Sequence, residues 1–436
     1  MPRGLKRIEG KELKYFSLFS LLLLLAAAAA GASDSLAEGL VKIVLSRDAL
    51  ITDYFELVGY GAAFLNCALV FALAVGLVLL EKIPFTGLTM AALFMNAGYA
   101  LWGKNLLNII PVFLGTAVYA RVHKAKLSRY IYTALFGTCL APLITELIFL
   151  LPFGRPWNLC ISVGTGILIG FILPPLSVHA ASMHMGYNLL NVGFSGGILA
   201  FVIVCILRSF GMESAQVLIW REGRNGWVVA GLSVYFILAV LLGFLINQRD
   251  LKGLFKIMRH PGRAVADFVL MDGPGATLMN MGLVGIVCVI YILLIQGDFS
   301  GPVVGGILSV FGFAAFGVHI RNYLPVLGGV YLSTMLTVYE PDTPGIQLAA
   351  LFAAGLSPIA GQFGIVAGLI AGFLHAVIVM CTGDMYGGLN LYNNGFSAGW
   401  VAIFMVPLVE SFMKQHKGRK RKKQRWFTKK RRLQKS

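Results

Sequence analysis

Two stretches of this 436-residue chain place amides, glycines and a hydroxyl at the same spacing. One runs Gly186, Asn188, Asn191, Gly193, Phe194, Ser195. The other runs Gly388, Asn390, Asn393, Asn394, Gly395, Phe396, Ser397. Each lies at the mouth of an apolar run, and that density of Gly and Asn does not favour a continuous helix. Unsatisfied backbone in lipid costs several kcal/mol per group, so irregular chain there must line a cavity or pack inside protein. An Asn amide both donates and accepts, which suits a polar solute stripped of water. The competing reading is structural, with Asn188 or Asn191 capping the following helix and glycines permitting close packing.

Ionisable residues in apolar surroundings are the next candidates. Glu146 sits inside an apolar run and Gln362 lies at the matching place in the second half, each four residues after a proline. Such a Glu/Gln pair would form a polar constriction on the same pathway. Asp384 precedes the second motif and is matched by Ser182, an asymmetry that would suit coupling to a cation or proton. His179, His184 and His375, at the ends of apolar runs near the motifs, are candidates for proton or substrate handling. No His/Cys spacing supports a zinc site, and no cofactor is expected. The six cysteines are scattered through apolar runs and read as small core residues.

The elements that would position these residues come from an internal duplication. Gly59, Gly61, Asn66, Asp53, Phe85, Gly87, Gly98, Gly103, Asn108 and Pro111 recur as Gly273, Gly275, Asn280, Asp267, Phe299, Gly301, Gly312, Gly317, Asn322 and Pro325, all at an offset of 214. Ala141-Pro142 answers Ser357-Pro358 at 216, and the Asn motifs answer each other at 202. Matches of Gly, Pro, Asn and Asp at one offset are hard to obtain by chance in an apolar chain.

Each half holds a lead apolar run and six more. These are roughly 15–31, 57–80, 87–102, 107–121, 130–152, 159–177 and 194–211, then 227–247, 271–296, 301–317, 322–338, 346–360, 363–382 and 397–413. The pattern predicts an all-α membrane protein of about 14 segments, seven in each half. An odd number per half puts the halves in opposite orientations, an inverted-topology repeat. Loop charge agrees: Arg121, Lys124, Lys126 and Arg129 form a basic loop whose counterpart holds Glu340 and Asp342. The short pairs 87–102 with 107–121 and 301–317 with 322–338 are candidates for re-entrant half-helices. Without one such pair, each half still has an odd count.

The organisation is then a first repeat over 1–226, a second over 227–413 and a basic tail over 414–436. The N-terminus also has the layout of a cleaved signal peptide, but the lead run has a counterpart at 227–247 and is read as retained. Only 13% of residues are charged, which excludes a soluble enzyme, a disordered chain and a disulfide scaffold. The runs do not alternate as barrel strands would. Of the net charge of +17, thirteen Lys/Arg lie between Lys414 and Lys435. That location points to a cytoplasmic end beside anionic lipid rather than to nucleic acid.

The twin motifs, the Pro-Val after Asn108 and Asn322, and the doubled layout resemble the bacterial domain-of-unknown-function 1576 family over nearly the whole chain. That resemblance implies a multipass membrane protein and no activity. A weaker similarity is to urea transporters, through Gly186-Tyr187-Asn188 with Gly196-Gly197-Ile198 and a faint echo at Pro84-Phe85-Thr86-Gly87. It implies a small-solute pathway by fold analogy only.

The expected function is a non-enzymatic channel or secondary transporter for a small polar solute, with the pathway between the repeats. It would lie in the bacterial plasma membrane, both termini cytoplasmic, and a homo-oligomer is compatible. No nucleotide-binding P-loop is present. The alternatives are an intramembrane enzyme using Glu146, Asp384 and His375 on lipid, and a non-transporting assembly factor acting through the tail.

Overall fold

The computed structural model describes residues 10–32, 35–48, 51–214 and 218–433, with side chains as far as Met413. The basic stretch before Gly10 and the tail side chains lie outside the described residues. The helices are α1 (Lys11–Ala30), α2 (Leu36–Leu45), α3 (Tyr54–Leu80), α4 (Gly87–Tyr99), α5 (Leu106–Val122), α6 (Ile131–Gly137), α7 (Ala141–Leu150), α8 (Arg155–Met183) and α9 (Asn191–Ser209). They continue as α10 (Gly226–Ile246), α11 (Lys252–Ile257), α12 (Phe268–Asp272), α13 (Pro274–Leu294), α14 (Gly301–Phe313), α15 (Ile320–Leu336), α16 (Pro344–Phe352), α17 (Ser357–Phe363), α18 (Ile365–Thr382) and α19 (Asn393–Leu433). Two short parallel strands, β1 (Ile51–Thr52) and β2 (Leu218–Ile219), join the connections before α3 and α10.

Among the described residues, ten helical stretches are long and apolar enough to cross a membrane, five before residue 210 and five after 225. That is fewer than the fourteen runs of the sequence, for a reason of length. Helices α4 and α14 have 13 residues each, or about 20 Å, against a hydrocarbon core of about 30 Å. Helices α5 and α15 have 17 each and reach about 26 Å.

The short helices α4 and α14 form the centre of the molecule. Nearly every residue of both is buried. They pack antiparallel and very closely: a Cβ on Gly98 would lie 2.1 Å from the Gly305 carbonyl oxygen, and one on Gly305 would lie 2.2 Å from that of Gly98. Phe94 and Phe311 meet edge to face across the pair, with ring centroids 4.9 Å apart.

Positions 214 apart make equivalent bonds around this pair. Asp53, the N-cap of α3, accepts the Gly301 amide at 3.0 Å. Asp267, the N-cap of α12, accepts the Gly87 amide at 2.9 Å. Each carboxylate thereby satisfies the open N-terminus of a central helix from the other half. Asn66 donates to the carbonyls of Ala100 and Lys104, and Asn280 to those of Ala314 and Val318. Gly59 (φ 77°) breaks α3 where Gly273 (φ 90°) separates α12 from α13. Only glycine enters that backbone region without strain.

Each half also contains a broken helix. The run 130–152 divides into α6, a 3-10 turn at Thr138–Leu140, and α7. The run 346–360 divides into α16, a 3-10 turn at Ala353–Leu356, and α17. A proline at the start of α7 and α17 explains both breaks.

Candidate functional site

The Asn motifs sit against these broken helices, each on the break of the opposite half. The Leu189 amide donates to the Gly355 carbonyl at 2.9 Å, and the Leu391 amide to that of Cys139 at 3.0 Å. Asn188 donates to the Gly395 carbonyl at 3.0 Å, and Asn390 to that of Gly193 at 3.4 Å. Their side-chain oxygens accept the amides of Leu190 and Tyr392, two residues on. Both side chains are buried. Two reciprocal side-chain bonds thus clasp the motifs together, and two backbone bonds tie each motif to the helix break of the opposite half. The backbone pair satisfies carbonyls at the breaks, as irregular chain in an apolar protein requires. Asn188 and Asn390 form turns ahead of α9 and α19 and do not cap them.

The second amide of each motif points elsewhere. Asn191 donates to the Ser177 carbonyl at 2.9 Å and accepts from His184 Nε2 at 2.8 Å. The donor assignment follows from His184 Nδ1, which accepts the Asn188 amide at 3.4 Å. Asn393 accepts from Thr382 Oγ1 at 2.7 Å and from the Tyr386 hydroxyl, and donates to the Val379 carbonyl. Ser195 pairs with Ser177 at 3.1 Å, Ser397 donates to the His375 carbonyl at 3.2 Å, and Asn394 contacts His375 Nε2 at 3.2 Å.

Two cavities share the clasp as a wall. The first, of about 280 Å³, is lined by Asn188, Asn191, Gly193, Ser177, Ala181, Phe316 and Tyr392. The second, of about 420 Å³, is lined by Asn390, Asn393, Asn394, Val379, Gly383, Asp384 and Trp102. Most of these residues pair off at the repeat offsets: Asn188 with Asn390, Asn191 with Asn393, Ser177 with Val379, Ala181 with Gly383 and Phe316 with Trp102.

Glu146 and Gln362 line neither of these cavities. Buried Glu146 forms an ion pair with Arg47 and accepts from Ser214 Oγ at 2.9 Å. Gln362 is exposed, as is His179. His375 is fully buried against Asn394. Asp384 lies exposed on the rim of the second cavity, its carbonyl accepting from Arg208 at 3.2 Å. The sequence candidates therefore divide: the Asn motifs converge, with His375 against Asn394 and Asp384 on the second cavity, while Glu146, Gln362 and His179 lie away from both cavities.

Between the cavities stands a cluster that sequence reasoning missed. Trp102, on the second cavity, stacks on Tyr99 with centroids 4.9 Å apart. Tyr99 in turn meets Tyr392, on the first cavity, at 4.5 Å. Lys104 lies fully buried against this row. Its Nζ donates to the Tyr392 hydroxyl at 2.7 Å and to Asn96 Oδ1 at 3.2 Å, and stands 5.3 Å from the Tyr99 ring centroid. Asn96 is held by donation to the carbonyls of Ala92 and Leu135, while its oxygen also accepts from Thr138. The repeat arithmetic held a signal for this cluster: at the offset of 214, Lys104 faces Val318. The buried acid Asp48 was also missed; it accepts from Tyr54 and Asn108 at 2.9 and 3.3 Å.

No curated protein and no solved structure matches this chain. A match to one family does cover most of its length, including both Asn motifs and both members of the central helix pair. Over residues 32–209 and 246–411 the chain belongs to the family described as Protein of unknown function (DUF1576).

Proposed function

We propose that this protein is a channel or secondary transporter for a small polar solute, with the pathway running along the contact between its two halves. The observation that carries the reading is the pair of cavities. They are lined by repeat-equivalent residues, share the Asn clasp as a wall, and are separated by one row of aromatic rings. Transporters built from repeats place their sites at such an interface, where irregular backbone lines a cavity.

The same reading takes the halves as an inverted-topology repeat in the bacterial plasma membrane, with both termini cytoplasmic. Five membrane-length helices in each half keep the count odd, and the reversed loop charges agree. The lipid-enzyme alternative is less favoured, since Glu146 is paired with Arg47 and Ser214 while His375 meets Asn394.

The test is solute flux into proteoliposomes holding the full chain. Ala181→Trp, which fills the first cavity, should lower flux several-fold in protein that remains monodisperse. Equal flux in this variant and the parent would remove the pathway. Topology is tested in a cysteine-free background: an impermeant thiol reagent added outside should label Asp342→Cys and spare Lys126→Cys. The reverse pattern would overturn the orientation.

A further inference from the structure

At the row of rings between the cavities the two halves differ in chemistry at every polar position. At the repeat offsets, Lys104, Asn96, Tyr99, Thr138 and Tyr392 correspond to Val318, Val310, Phe313, Ala354 and Leu190. All five polar residues have apolar counterparts. Four residues of the second half and Leu190 of the first show that an apolar set fills the equivalent space within this fold, so packing does not call for a lysine there.

The cluster has more donors than acceptors. The Lys104 ammonium has three N–H groups and two acceptors, Asn96 Oδ1 and the Tyr392 hydroxyl. Among the described residues, no carboxylate pairs with it. The hydroxyl of Tyr99 and the indole N–H of Trp102 are buried and have no hydrogen-bond partner. A buried cation without a counter-ion and two buried donors without acceptors are each unfavourable. An anion beside Lys104 brings the missing charge and acceptors and no donors of its own. Asn96, fixed by its bonds to Ala92, Leu135 and Thr138, holds the ammonium in place, so the site is built before any solute arrives.

We propose that the solute is a small monovalent anion and that it crosses the row of rings by binding Lys104. This rests on the pathway reading above and names its substrate class. Tyr392 presents the first cavity to the ammonium, and Trp102 begins the second. An anion passing from one to the other exchanges water for the Lys104 ammonium, with the Tyr99 hydroxyl and the indole N–H as further buried donors along the row. The matching valine at Val318 leaves one such site in each chain.

The experiment compares near-isosteres of different charge in proteoliposomes of the full chain: acetate against acetamide, with nitrate as an inorganic anion. The expected result is acetate or nitrate flux at least tenfold above acetamide flux. Which of the two anions is faster separates organic from inorganic substrates. Lys104→Met should lower anion flux at least tenfold and narrow that ratio, and Lys104→Arg should restore part of it. Tyr99→Phe, which removes only the unpartnered hydroxyl, should lower anion flux several-fold. Should Lys104→Met fail to fold, Tyr99→Phe and the parent's acetate-to-acetamide ratio decide the matter. Acetamide crossing while both anions are excluded would overturn the anion site and leave the pathway standing. No flux of any probe would overturn both.

Discussion

Asp53 and Asp267 lie 214 residues apart and each caps a helix of the other's half, at Gly301 and Gly87. Asp53 also accepts the Arg221 amide at 3.0 Å, tying β2 to the same carboxylate. Charge-assisted bonds of this kind contribute about 1.5–3 kcal/mol. Asp53→Asn and Asp267→Asn should each lower stability by about 1–3 kcal/mol, read as thermal unfolding in detergent. The caps sit at opposite ends of the central pair, so the double variant should come close to the sum of the two losses.

The central crossing predicts a steric effect. An alanine at Gly98 or Gly305 places its Cβ about 2 Å from a carbonyl oxygen of the facing helix, and overpacking of this kind costs about 1–3 kcal/mol or more. Both variants should lose monodisperse protein. Gly76→Ala, whose Cβ would meet nothing within 4 Å, should be neutral or slightly stabilising by helix propensity. Equal yields of all three would show that the crossing opens in the membrane.

The two asparagines of each motif should separate by assay. Asn188→Ala and Asn390→Ala remove the two side-chain bonds that join the motifs, to the carbonyls of Gly395 and Gly193. Each should destabilise the fold by about 1–3 kcal/mol. Asn191 is half-buried on the first cavity, and Asn191→Ala should chiefly change solute flux per folded molecule. A stability loss at Asn191 equal to that at Asn188, with unchanged flux, would make both structural.

Glu146→Gln keeps shape and removes charge. Because Glu146 faces half-exposed Arg47 and Ser214, the variant should lose about 1–3 kcal/mol of stability and keep the ion dependence of transport. A changed ion dependence without a stability loss would return Glu146 to the pathway.

Much of the fold was legible because it is carried by residue types that lipid restricts. Gly, Pro, Asn and Asp at fixed offsets marked Asp53, Asn66, Gly98 and the twin motifs, and each of these proves to make a specific bond or close approach. The short helices α4 and α14 were legible as short, but not as the centre, because apolar sequence does not distinguish protein from lipid as a neighbour. Glu146 was singled out as an isolated acid, yet its partner Arg47 is 99 residues away, in the connection before β1. Lys104 escaped because it stands in a short connection, where a lysine is ordinarily solvated. Only the matching Val318 hinted at burial.

The reciprocity of the caps bears on how such a chain could have arisen. Gly87 and Gly301 are equivalent positions, so Asp53 could cap Gly87 of a second copy as well as it caps Gly301. A protein of half this length, paired with itself, could therefore close every cap and clasp described above. It could not build one Lys104 site: symmetry would bury two lysines and set each beside the leucine that corresponds to Tyr392. Joining the halves in one gene removes that constraint. A single buried charge becomes available only to the fused chain, and ancestral half-length sequences should carry an uncharged residue at position 104.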